Sequence, residues 1–104
     1  MIEAEIFRAL ADPTRRAVYE RLSGGEMSVG VLAAGFSISQ PAVSQHLAAL
    51  KRAGLVVERK QGRNAFYRAD PQGLQPLSSW VDRYRGFWPE RIERLKGVLK
   101  EMDQ

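Results

Sequence analysis

The sequence reads as a mainly α domain with one small β-hairpin, in the order helix, helix, helix, helix, hairpin, helix. Three features carry that reading. Apolar residues recur every three or four positions from Ile2 to Ala53, and again from Leu77 to Met102. Between these stretches "LVVERK" and "NAFYRA" are β-branched and aromatic runs on either side of "QGR", whose Gly62 suits a tight turn. A length of 104 residues gives one domain, 1–104, with a single modest core.

The first helix, about 2–11, places Ile2, Ile6, Phe7 and Leu10 at helical spacing and stops at "ADPTRR". There Asp12 can cap a second helix whose first position is Pro13, where a missing N–H costs nothing. That helix turns Ala17, Val18 and Leu22 inward and breaks at Gly24-Gly25. A short third helix runs from about Ser28 to Ala34 and ends near Gly35. The fourth is capped by Ser39, reaches Ala53 and stops at Gly54. The hairpin occupies about 55–69. A terminal helix, about 74–102, carries Leu77, Trp80 or Val81, Tyr84, Trp88, Ile92, Leu95, Leu99 and Met102, and Pro89 inside it should kink or interrupt it.

Composition narrows the function. At 44% hydrophobic and 27% charged the chain is an ordinary globular one, and no run approaches the roughly 18 apolar residues of a membrane span. "MIEAEIFRAL" is acidic where a secretory signal needs a basic start, so a cytoplasmic location is expected. None of the 104 residues is cysteine, which removes disulfides, thiolate metal sites and thiol redox sensing. The net charge of +4 is concentrated. Residues 39–68 hold Lys51, Arg52, Arg59, Lys60, Arg63 and Arg68 against Glu58 alone, a patch suited to a polyanion.

The fourth helix lies in that block, and its water-facing side is unusual. Val43, Leu47 and Leu50 define its buried face. The opposite side presents Gln40, Pro41, Ser44 and Gln45, with no lysine or acidic residue in its first three turns. Two short helices joined by a few residues, the second capped and uncharged at its start, describe a helix-turn-helix over about 28–53. In that motif the second helix enters the major groove, where Gln pairs with adenine, Ser donates or accepts, and small apolar groups touch thymine methyls. Gln40, Pro41, Ser44 and Gln45 are therefore the candidate base-reading residues. The hairpin tip "RKQGRN" then acts as a wing. Lys51, Arg52, Arg59 and Lys60 are expected on phosphates, and Arg63 at the turn in the minor groove. Arg68 serves equally well as an ion-pair partner.

Taken together, "ALADPTRRAVYERL", "SQPAVSQHLAALKRAGLV" and "QGRNAFYR" resemble the ArsR family of winged helix-turn-helix repressors, from about Ile6 to Leu99. The resemblance implies a homodimer that binds a short inverted repeat in a promoter. It also implies contact between terminal helices, here through Ile2, Ile6, Phe7, Trp80, Tyr84, Phe87, Trp88 and Ile92. The concentration of aromatics at 80–88 supports this independently, because monomers rarely leave so much apolar surface open. Metal-sensing members carry a segment like "ELCVCDL"; the matching "EMSVGVL" has Ser28 and Gly30 at the cysteine positions. Other members bind zinc between terminal helices with histidines, and this terminal helix has none. No metal or other cofactor is expected. A small-molecule effector held in an aromatic-lined groove between subunits stays open, as does regulation by abundance alone.

His46, the only histidine, flanks the buried face of the fourth helix and fits a packing or phosphate-contact role. No nucleophile or oriented carboxylate accompanies it, and no Gly-rich phosphate loop or triad exists, so an enzyme is not expected. Two rivals use the same basic face: a module that docks an acidic protein, and a nonspecific DNA-binding protein.

Overall fold

The computed structural model describes the backbone of residues 2–85 and 89–102, and the side chains of 2–85 and 94–102. Its elements are α1 (Ile2–Ala11), α2 (Pro13–Leu22), β1 (Met27–Ser28), α3 (Val29–Ala34), α4 (Gln40–Arg52), β2 (Val56–Gln61), β3 (Asn64–Ala69), α5 (Gln75–Arg83) and α6 (Pro89–Met102). The helical order and the hairpin agree with the sequence reading; one feature corrects it, and another decides between alternatives it left open. A two-residue strand, too short for any alternation to mark it, precedes α3. The terminal helix is interrupted, one of the two outcomes expected of Pro89: it is divided into α5 and α6, and Pro89 opens α6. Proline has no N–H to give an interior turn and disfavours α-helical backbone in the residue before it, so a first position is where it fits.

Local chemistry sets the helix ends. The Asp12 carboxylate accepts the Arg15 N–H at 3.0 Å and Pro13 takes the first turn of α2. That hydrogen bond, more than any neighbouring charge, holds the Asp12 carboxyl below its ordinary range. The carbonyls at the end of α1 are met by side chains of α2: Arg16 Nη1 donates to Leu10 O at 3.0 Å, and Arg15 Nη1 approaches Ala9 O at 3.5 Å.

The three strands form an antiparallel sheet in the order β1-β3-β2. Met27 pairs with Tyr67 and Ser28 with Phe66, while β2 and β3 run in register from Val56↔Ala69 to Gln61↔Asn64 around Gly62. The core is small. Ile6, Val18, Leu22, Leu32, Val43, Leu47, Leu50 and Leu55 are fully enclosed, so α1 to α4 and the start of the hairpin share one apolar centre. Ile6, expected at a subunit contact, is 0% exposed in its own protomer and is corrected to a core residue.

The exit from α4 is a Schellman turn. Leu55 N donates to Leu50 O and Gly54 N to Lys51 O, both at 3.0 Å, with Gly54 at φ +78. Gly73 packs on this turn so closely that a Cβ there would lie 2.7 Å from Gly54 O and 3.0 Å from Leu55 Cα. Both obstacles are backbone. Gly73→Ala is expected to cost about 1–3 kcal/mol of stability in urea unfolding. Gly24→Ala, whose nearest contact would be an ordinary 3.5 Å, should stay within about 0.5 kcal/mol.

Candidate nucleic-acid interface

Two serine caps frame the helix-turn-helix. Ser28 Oγ accepts from Val31 N and Ser39 Oγ from Ala42 N, each at 3.2 Å, so α3 and α4 both start from a side-chain hydroxyl. Val43, Leu47 and Leu50 are all 0% exposed and hold α4 against the core. The other side of the helix is thereby turned outward. Gln40, Pro41, Ser44 and Gln45 are exposed, and none of the three polar side chains among them makes a hydrogen bond with the described residues. Amide and hydroxyl groups are thus presented unspent along the first two turns of a rigid helix.

His46 lies beside this face, half-buried. Its Nδ1 is shut off from solvent with no hydrogen-bond partner among the described residues.

The wing cations divide into two groups. Arg59 is engaged on three sides: Nη2 and Nε reach the two carboxylate oxygens of Glu26 at 2.7 and 3.1 Å, Nη1 donates to Gln61 Oε1 at 2.8 Å, and the guanidinium lies 4.7 Å above the Phe66 ring. Lys51 donates to Glu58 Oε1 at 2.8 Å, and Tyr67 Oη donates to Glu58 Oε2 at 2.8 Å. The sequence reading put both cations on phosphates and did not foresee either pairing. Arg59 pins the hairpin to the residue preceding β1, and Lys51 ties the end of α4 to β2. Lys60, Arg63, Arg52 and Arg68 make no hydrogen bond or ion pair with the described residues. Lys60 and Arg63 flank the Gly62 turn, so the outermost charges of the wing are the uncommitted ones.

Titration follows from these contacts. The Lys51 hydrogen bond, then that from Tyr67, holds the Glu58 carboxyl below its ordinary range, and Arg59 does the same for Glu26. The Tyr67 hydroxyl is pushed up to about 12, first by burial and then by the carboxylate it donates to. A raised folded-state value means that the neutral phenol is favoured by folding. Its contribution is whole below the unfolded value of about 10 and is lost as pH rises through about 12. Urea unfolding of the wild type should therefore weaken over that alkaline range more steeply than that of Tyr67→Phe. Parallel curves would mean that another group titrates.

The terminal helices form a separate surface. Trp80 of α5 meets Phe7 of α1 edge-on at 5.2 Å and Tyr84 at 4.8 Å, and Arg83 pairs with Glu3 at 3.0 Å. Ile2, Phe7, Val81 and Tyr84 stay exposed around this cluster. Along α6, Leu95, Val98, Leu99 and Met102 recur on one side and are 57%, 51%, 52% and 75% exposed. Leu95, Leu99 and Met102 lie in the apolar period that the sequence predicts for the terminal helix, although the residues expected at the subunit contact stop at Ile92; Val98 joins them on the same side. Phe87, Trp88 and the Ile92 side chain lie outside the described residues.

A capped helix-turn-helix followed by a charged hairpin defines a winged-helix DNA-binding protein. Comparison with known proteins agrees. The family described as a helix-turn-helix domain matches residues 10–59. The HTH-type transcriptional regulator Rv2034 of Mycobacterium tuberculosis is 50% identical over 86 residues, covering 83% of this chain and 78% of its own. The arsenical resistance operon repressor of Escherichia coli is 40% identical over 103 residues, covering 98% of this chain and 86% of its own. The crystal structure of an ArsR family transcriptional regulator superposes with a TM-score of 0.78 at 34% identity, over 88% of this chain and all of that one. The chain belongs to the ArsR family of winged helix-turn-helix transcriptional regulators, which are DNA-binding proteins and not enzymes.

Proposed function

We propose that this protein is a homodimeric repressor that reads an inverted-repeat operator with the first two turns of α4. The observation that carries the reading is the exposed, uncharged face of Gln40, Pro41, Ser44 and Gln45, unbonded among the described residues, set beside a wing tip whose Lys60 and Arg63 have no partner among them either. Base edges in the major groove would satisfy the amides and hydroxyl, and a charged side chain there would lose solvent without gaining a counter-charge. Arg63 reaches the minor groove and Lys60 a phosphate. Lys51 and Arg59, each held by a carboxylate, add to the positive field while fixing the wing. His46 borders the helix where a phosphate passes.

The partner subunit covers Ile2, Phe7, Trp80, Tyr84 and the α6 stripe, together with Phe87, Trp88 and Ile92 as the sequence leads one to expect. A two-fold axis through these helices sets the two α4 helices about one turn of DNA apart, so half-sites fall about 10 bp centre to centre. Cysteine-based metal sensing is not part of the proposal, because these 104 residues include no cysteine.

Fluorescence anisotropy on DNA upstream of the protein's own gene, beside random DNA across a salt series, tests the reading. A preference of about a thousandfold or more is expected. Equal binding to both DNAs would favour nonspecific architecture, and no binding to either would favour a protein partner. Arg63→Ala should weaken both DNAs together and flatten the salt slope by about one ion.

A further inference from the structure

A cleft of roughly 350 Å³ opens between α1, the start of α2 and the end of α4, away from the base-reading turn. Its walls include Glu5 and Arg8 from α1, Arg15 from α2 and Arg52 from α4, and its floor the small side chains of Ala49 and Ala53. Three guanidiniums from three different helices thus meet one carboxylate. Neither Arg8, Arg52 nor Glu5 makes a hydrogen bond or ion pair with the described residues. Arg15 is the most constrained of the four. Its Nη1 has only the 3.5 Å approach to Ala9 O, and its Nε is buried with no hydrogen-bond partner among the described residues.

Buried donors in native proteins are almost always satisfied, and like charges gather only where something offsets them. We propose that this cleft binds a small oxyanion, the phosphate or carboxylate group of a soluble effector. The planar guanidinium fork matches either group, and Arg15, whose Nη2 makes no hydrogen bond with the described residues, brings a third fork to the cleft wall. Three guanidiniums against one carboxylate leave a surplus of two positive charges, which suits a phosphate dianion or a dicarboxylate.

The position gives the site a consequence. Glu5 and Arg8 belong to the helix that carries Phe7 on the terminal-helix surface, and Arg52 is the last residue of the helix that presents Gln40 to Gln45. An anion bridging them ties the subunit contact to the reading helix, so its binding and operator binding alter each other by the same factor. This coupling rests on the DNA reading above; the anion site itself does not.

The test begins without DNA. The folded protein is titrated with inorganic phosphate, and separately with malonate, against chloride at constant ionic strength, following the arginine Nε–H NMR signals. A saturable shift confined to Arg8, Arg15 and Arg52 is expected, weakened about tenfold or more in Arg8→Gln and in Arg52→Gln. Both substituted side chains are exposed, and circular dichroism checks that each variant folds. No saturable shift, or one that persists unchanged in both variants, overturns the site. Signals that respond to operator DNA and to neither small anion also overturn it, because the cleft would then hold a DNA phosphate. Operator anisotropy with saturating phosphate should change Kd about fivefold or more. An unchanged Kd overturns the coupling, whereas a protein that never prefers its operator defeats the reading in the preceding subsection and leaves the cleft standing.

Discussion

Leu99→Glu is expected to convert the proposed dimer to a monomer and to lower operator affinity by about a hundredfold or more, because one half-site then binds without the effective concentration its tethered twin supplies. The expectation starts from α6. Leu95, Val98, Leu99 and Met102 keep more than half their surface in water, along one side of a helix that has no extensive packing on the rest of its protomer among the described residues. A helix with such a stripe gains its stability from whatever buries it. A carboxylate at Leu99 would have to be taken out of water in the middle of that seam. Sedimentation and anisotropy read the two effects separately. Among the described residues the protomer core is built from α1 to α4 and the hairpin and contains no α6 residue, so NMR chemical shifts of the hairpin and first four helices should be unchanged. A variant that stays dimeric would place the subunit contact elsewhere.

Gln45→Ala acts on recognition rather than assembly. The side chain is exposed, in the second turn after the Ser39 cap, and makes no hydrogen bond with the described residues, so its removal costs the folded protein almost nothing. On operator DNA it should cost about 1–3 kcal/mol, roughly a five- to 150-fold loss, and relax the preference at one base position. Affinity for random DNA should barely change, since phosphate contacts supply that term. Equal losses on both DNAs would move the reading face away from Gln45.

The parts legible in the sequence were those whose cause is local. Asp12-Pro13 and Ser39 mark helix starts because a cap acts within three residues. Val43, Leu47 and Leu50 mark a buried face because the helix period places them together, and Gly62 marks the turn because the hairpin needs a positive φ there. What escaped depended on the tertiary register. Arg59 and Glu26 stand 33 residues apart and meet only once β1 has joined the edge of β3. Glu58 meets Tyr67 through the β2–β3 register, and Lys51 only once the Schellman turn has brought β2 beside the end of α4. Ile6 and Phe7 are neighbours in an amphipathic helix; which of them faces the core was decided by α2 and α4 packing beneath, and Ile6 took that place. The cleft arginines come from three separate segments that no spacing rule connects.

The link from Lys51 through Glu58 to Tyr67 closes a loop between the end of α4 and the hairpin, and Arg59 closes another between the hairpin and the segment before α3. Each reading head is therefore a stiff jaw, unable to flex its wing against its helix without breaking a charged contact. The proposed dimer, built from two such jaws, would behave as a caliper: an effector that silenced it would do so by changing the gap between the jaws, not their shape. Operators with one base pair inserted or removed between half-sites would then mimic the silenced state, and the spacing at which binding recovers would measure how far the caliper has opened.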